Sequence, residues 1–108
     1  MRIGFYAPLK SPFSDSASGD RTIARLLIRA LEIGGHEVLL MSEFRSVSIS
    51  GDEFQQQDLA RQGQKVVSEM LDDPNHMVHS IDIWLTYHLY HKAPDWLGPQ
   101  ACKALNIP

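Results

Sequence analysis

The amino-acid sequence predicts an α/β fold: a Rossmann-like, three-layer parallel sheet, incomplete, with about three strands and three helices. Three observations predict it. Short apolar runs alternate with longer segments of helical periodicity, the alternation that builds a parallel sheet through right-handed crossovers. The run Val38-Leu39-Leu40-Met41 is apolar throughout, which suits a strand covered on both faces. The final residues, Ala104-Leu105-Asn106-Ile107-Pro108, read as the last turn of a helix heading toward a further strand.

Residues 2–7 form a short apolar and aromatic run ended by Pro8, the pattern of a buried first strand. Residues 20–33 are helical in period, with Ile23, Leu27, Ala30 and Leu31 expected on the inner face. Ser18 or Asp20 can cap this helix, and Gly34-Gly35 supplies a left-handed exit. Residues 36–41 follow as the second strand. A serine-rich loop over 42–52 leads to a second helix at about 53–71, with Leu59, Val66, Val67, Met70 and Leu71 facing inward. Gly63 weakens that helix by about 1 kcal/mol relative to alanine. Asp72-Asp73-Pro74-Asn75 ends it, residues 81–86 make the third strand, and a third helix is expected over about 96–105.

A chain of 108 residues has room for one small domain, and 44% hydrophobic content is enough to pack it. A net charge of -3 argues against a general nucleic-acid binder, which needs a basic excess to neutralise phosphates. The single cysteine, Cys102, makes no intrachain disulfide, so a reducing compartment is the default. The first residues are too short an apolar run for a secretory signal. No stretch reaches the roughly 18 apolar residues of a membrane span. A cytoplasmic location is expected. A sheet of three parallel strands has two edges and little covered area, so either pairing of two copies into a homodimer or a marginally stable fragment is expected as well.

The loop over residues 8–19 is longer than the usual 2–6 residues of such connections. It lies at the carboxyl end of a parallel strand, where α/β proteins place ligands. It closes as Ser18-Gly19-Asp20-Arg21 on a helix start. Glycine lets a backbone approach a phosphate closely, free N–H groups at a helix start attract negative charge, and Arg21 can add a charge-assisted contact. The same residues also serve as a plain helix cap with a solvated arginine, and the charge of Asp20 counts against an anion there. His88 falls just past the third strand, where an imidazole can accept a proton or a hydrogen bond. Tyr87, Tyr90, Lys92 and Trp96 surround it; aromatic faces suit sugar stacking, and equally a core or an interface. His76-x-x-His79 and His88-x-x-His91 lack the cysteine pair or supporting ligands of a zinc site, so no metal is expected. There is no Gly-x-Gly-x-x-Gly, P-loop or Gly-x-Ser-x-Gly.

Three segments taken in order resemble the beginning of glycosyltransferase family 4: Arg2-Ile3-Gly4-Phe5-Tyr6-Ala7-Pro8, then Ser18-Gly19-Asp20-Arg21, then Gly34-Gly35-His36-Glu37-Val38. Ile81-Asp82-Ile83-Trp84-Leu85-Thr86-Tyr87-His88 also looks like that family's apolar strand closing on a histidine. The resemblance implies the N-terminal, acceptor-side portion (residues 1–108) of a GT-B fold enzyme. Such an enzyme moves a sugar, with retained stereochemistry, from a nucleotide-sugar donor to an acceptor, without a bound metal or other cofactor. It implies that Ser18, Gly19, Asp20 and Arg21 face the cleft near the donor diphosphate and the acceptor. His88, the catalytic candidate, would lie near the sugar or acceptor as a hydrogen-bond partner, with Tyr87 and Tyr90 among the substrate contacts. With most of the nucleotide-sugar site on a second domain, this chain alone is expected to be inactive. The alternative is a stand-alone, non-catalytic Rossmann-like module for binding or dimerisation.

Overall fold

The computed structural model describes residues 1–8, 19–46, 53–87 and 93–108, with the backbone alone at Asp20. In chain order come β1 (Arg2–Tyr6), α1 (Gly19–Ile33), β2 (Glu37–Ser42), α2 (Glu53–Asp72), a 3₁₀ turn (Met77–Ser80), β3 (Ile83–Thr86) and α3 (Gly98–Leu105). The three strands form one parallel sheet in the order β2-β1-β3. The fold is α/β and Rossmann-like, with three strands and three helices among the described residues.

Alternation along β1 divides the molecule into two cores, because successive side chains of a strand leave by opposite faces. Phe5 and Ala7 lie on one face with Ala24, Leu27 and Ile28 of α1, beside Val38, Leu40 and Leu85. Tyr6 lies on the other, in the larger core with Met41, Val67, Met70, Val78, Ile81, Trp84, Leu97 and Ala101. Thus α1 covers one face, and α2, the 3₁₀ turn and α3 share the other. Gly4 sits where that second face is most crowded. A β-carbon there would stand 2.6 Å from Ile81 Cδ1 and 3.0 Å from Met41 Cγ.

Register is regular from Ile3 to Phe5, which pair with Val38 to Leu40 on one side and with Ile83 to Leu85 on the other. Tyr6 then pairs with Ser42, so the ladder passes over Met41.

Several boundaries and one helix face differ from the sequence expectation. α1 turns Ala24, Leu27, Ile28 and Leu31 inward; Ile23 and Ala30 are exposed. The small, fully buried Ala24 sets the approach to the sheet and rotates the face by one residue. The exit of α1 is a Schellman motif. His36 N–H bonds the Leu31 carbonyl at 3.1 Å and Gly35 N–H the Glu32 carbonyl at 3.0 Å, with Gly35 at φ 91°.

β3 begins at Ile83 rather than Ile81, because the 3₁₀ turn and its capping residue Ile81 occupy the chain before it. His76 Nδ1 caps that turn by accepting from Val78 N–H at 3.0 Å. Asp82 still ties to β1. Its N–H donates to the Arg2 carbonyl, and its carboxylate accepts from Arg2 N–H, both at 2.7 Å.

α3 begins at Gly98, two residues later than expected, because Asp95 stops the chain short of it. The carboxylate accepts from the N–H groups of Leu97 (2.9 Å) and Gly98 (2.7 Å). Beyond α3, Asn106 adopts the left-handed conformation, and the Pro108 carbonyl accepts from Trp84 N–H at 2.9 Å on the outer side of β3.

Candidate functional site: the carboxyl edge of the sheet

β1 and β3 are neighbours, yet the helices that follow them lie on opposite faces of the sheet. The two helices thus cover opposite sides of the sheet from adjacent strands. In open parallel sheets this reversal is the topological switch point, where ligand crevices form.

Hydrogen bonds tie the three strand-to-helix connections together below that point. Ser46, fully buried, donates its N–H to the Pro8 carbonyl at 3.0 Å and its hydroxyl to the Pro94 carbonyl at 2.6 Å. One residue after β2 thereby holds the segments after β1 and β3. Tyr6 reinforces the tie, its hydroxyl donating to the Phe44 carbonyl at 2.7 Å. Tyr87 N–H closes the ladder on the Tyr6 carbonyl at 2.9 Å.

A second polar chain runs from β3 to α3. Trp84 Nε1–H donates to Thr86 Oγ1 at 3.0 Å, and the Thr86 hydroxyl donates to the Asp95 carboxylate. Asp95 thus satisfies two helix-start N–H groups and one hydroxyl together. Gly98 is required there, since a β-carbon would stand 2.7 Å from Trp84 Nε1 and closer still to the carboxylate. Burial pushes the Tyr6 phenol well above its ordinary range, and the negative charge of Asp95 adds to this, with a contact to the Ser46 hydroxyl partly opposing. Burial and Asp95 also push the Cys102 thiol up. A neutral phenol and an unionised thiol are structural groups at neutral pH, not nucleophiles.

Of the residues singled out from sequence, Gly19 opens α1 on the exposed surface, and a β-carbon there would meet nothing within 4 Å among the described residues. Arg21 is half-buried in the first turn of the same helix. Tyr87 follows β3 and stacks on Phe5, with ring centroids 6.2 Å apart and planes at 21°. It is half-buried in the smaller core on the α1 side. Asp20 belongs to α1 by its backbone. Ser18, His88 and Tyr90 lie outside the described residues, as does the side chain of Asp20. Trp96 packs against α2 at Gly63. His79 Nε2 lies 3.0 Å from the Asp73 carbonyl, so both members of the first histidine pair serve the turn before β3.

Sequence reasoning passed over Ser46, Thr86 and Asp95. For Asp95 a signal exists: an Asp shortly before a Gly-Pro helix start has the chemistry of a cap. Ser46 gave none, since it is one of several serines in a polar stretch. Among the described residues there is no enclosed pocket and no cluster of three or more potential metal ligands. No helix among them is long and apolar enough to cross a membrane. Comparison of the chain with protein families, curated proteins and solved structures gave no match.

Proposed function

We propose that this chain is the acceptor-side front portion of a nucleotide-sugar-dependent, GT-B type glycosyltransferase, with its ligand-facing loops at the carboxyl ends of β1 and β3. The observation that supports the reading is that α1 and α3, which follow adjacent strands, lie on opposite faces of the sheet, the arrangement at which open parallel sheets bind ligands. The glycosyltransferase chemistry itself rests on the ordered sequence resemblance, because α/β sheets host many activities. Gly19 suits a backbone approach to a phosphate, being exposed at a helix start with nothing among the described residues within 4 Å of a β-carbon there. Arg21, in the same turn, supplies a guanidinium for the diphosphate. His88 is the proposed hydrogen-bond partner of the sugar or acceptor, and Ser18, Asp20, Tyr87 and Tyr90 complete the proposed substrate contacts.

GT-B transfer needs a second domain to hold most of the nucleotide sugar, so this polypeptide by itself is expected to be inactive. Turnover of a nucleotide sugar by the purified chain would refute that expectation. Binding is the direct test. Uridine diphosphate titrated into the isotope-labelled chain is expected to move the Gly19 and Arg21 amide resonances, and Arg21→Ala is expected to abolish the response. No response at Gly19, or an undiminished one in Arg21→Ala, would remove the site.

A further inference from the structure

Among the described strands β2 has only β1 as a neighbour, yet the connection after β2 reaches the connections after both β1 and β3. Ser46 makes the reach with two separate donors, its N–H to the Pro8 carbonyl at 3.0 Å and its hydroxyl to the Pro94 carbonyl at 2.6 Å. Both acceptors are prolines. A proline has no N–H, so its carbonyl is its only backbone hydrogen-bonding group, and its ring fixes φ. Each connection therefore meets Ser46 at a stiff residue. Ser46 is itself held in place: it is fully buried, and Tyr6 of β1 donates its hydroxyl to the carbonyl of Phe44, two residues earlier.

We infer that Ser46 is a positioning residue of the proposed ligand site, the one point that sets the spacing of the loops leaving β1 and β3. The inference rests on the reading of those loops as ligand-facing. From Pro8 the chain runs on to Gly19 and Arg21, and Pro94 closes the segment that starts with Tyr87 and His88. A single side-chain torsion separates the Ser46 hydroxyl from its own backbone, and that torsion sits in a staggered well. The two proline carbonyls are thereby held at a set separation. The bond to Pro94 also steadies the bond to Pro8, so cutting one loosens the other. That coupling distinguishes a shared post from two independent contacts.

Amide hydrogen exchange of the ligand-free chain tests the coupling. The residue 46 amide reads the bond to Pro8, the Leu97 and Gly98 amides read the start of α3 just past Pro94, and the Phe5 amide in mid-sheet reads global opening. In Ser46→Ala, protection is expected to fall roughly tenfold at residue 46, Leu97 and Gly98, and clearly less at Phe5. Ser46→Cys, which keeps a side chain of similar shape with a weaker donor, is expected to lower the same three by a smaller factor. An equal fall at all four amides, a fall on one side alone, or no fall would each overturn the inference. Uridine diphosphate titrated into parent and Ser46→Ala separates the positioning role from the functional reading. Its affinity is expected to drop several-fold in the variant, although Gly19 and Arg21 are untouched, because the loops are no longer pre-set. Undiminished affinity would overturn the positioning role. A parent chain that gives no response removes the proposed nucleotide site, and the exchange comparison still decides the tie.

Discussion

The β-carbon of Trp96 occupies the space that a side chain on Gly63 would need: a β-carbon built at Gly63 would stand 2.6 Å from it. Phe44 and Leu97 crowd the same point at 3.4 and 3.6 Å. The glycine is therefore the place where α2 closes on the segment leading into α3. A β-carbon cannot swing aside as a side-chain tip can, so relief requires the backbone of α2 or of the Trp96 segment to move.

Gly63→Ala sets two effects against each other. Helix propensity favours alanine by about 1 kcal/mol. Overpacking costs about 1–3 kcal/mol, and the immobile contact puts this site toward the upper part of that range. Net destabilisation of about 1–2 kcal/mol is expected, read as a lower urea midpoint with an unchanged slope. A gain in stability would show that α2 shifts freely at this contact.

Asp95→Ala removes the acceptor of two helix-start N–H groups and of the Thr86 hydroxyl at once. Loss of a cap costs about 1 kcal/mol. The stranded hydroxyl adds about 1 kcal/mol more. Asp95→Asn keeps an acceptor oxygen for the N–H groups and should lose clearly less than Asp95→Ala. Equal losses in the two variants would mean that the cap contributes nothing measurable.

Tyr6 makes alkaline pH destabilising. Unfolded tyrosine releases its proton near pH 10.0, whereas buried Tyr6 holds it to higher pH. Above pH 10 the folded chain therefore binds more protons than the unfolded one, and stability falls as pH rises, by at most about 1.4 kcal/mol per unit from this group. Below pH 10 its contribution is fully present. Tyr6→Phe should lose about 1 kcal/mol at neutral pH with the bond to the Phe44 carbonyl, and should show a shallower alkaline limb. Asp95→Asn should lower the Tyr6 ionisation only in part, because burial, the larger cause, remains when the charge of Asp95 is gone. Ultraviolet difference titration reads both.

Ser46→Ala keeps the N–H bond to the Pro8 carbonyl and deletes the hydroxyl bond to the Pro94 carbonyl. About 1–2 kcal/mol of destabilisation is expected, since the replacement leaves a part-buried carbonyl without its donor. Amide exchange at Leu97 and Gly98 should quicken if the tie steadies the start of α3. Unchanged exchange there would confine Ser46 to the β2 connection.

Patterning along the chain determined the alternation of strands and helices, the parallel sheet and the glycine exit of α1, because apolar period and backbone permissiveness are local properties. Residues 81–86 have the apolar content of a strand throughout, yet pairing starts only at Ile83, since apolar content does not distinguish a strand from the buried turn residue Ile81. The apolar period leaves the inner face of α1 open by one residue, because Ile23 and Ala24 are both apolar and only contact with the sheet selects between them. Of the proposed site, the helix start at Gly19 was legible from its position after a long loop. The tie through Ser46, the cap at Asp95 and the need for glycine at position 63 were decided by tertiary structure alone. Each depends on segments far apart in the chain meeting at one point, and no local pattern carries that distance.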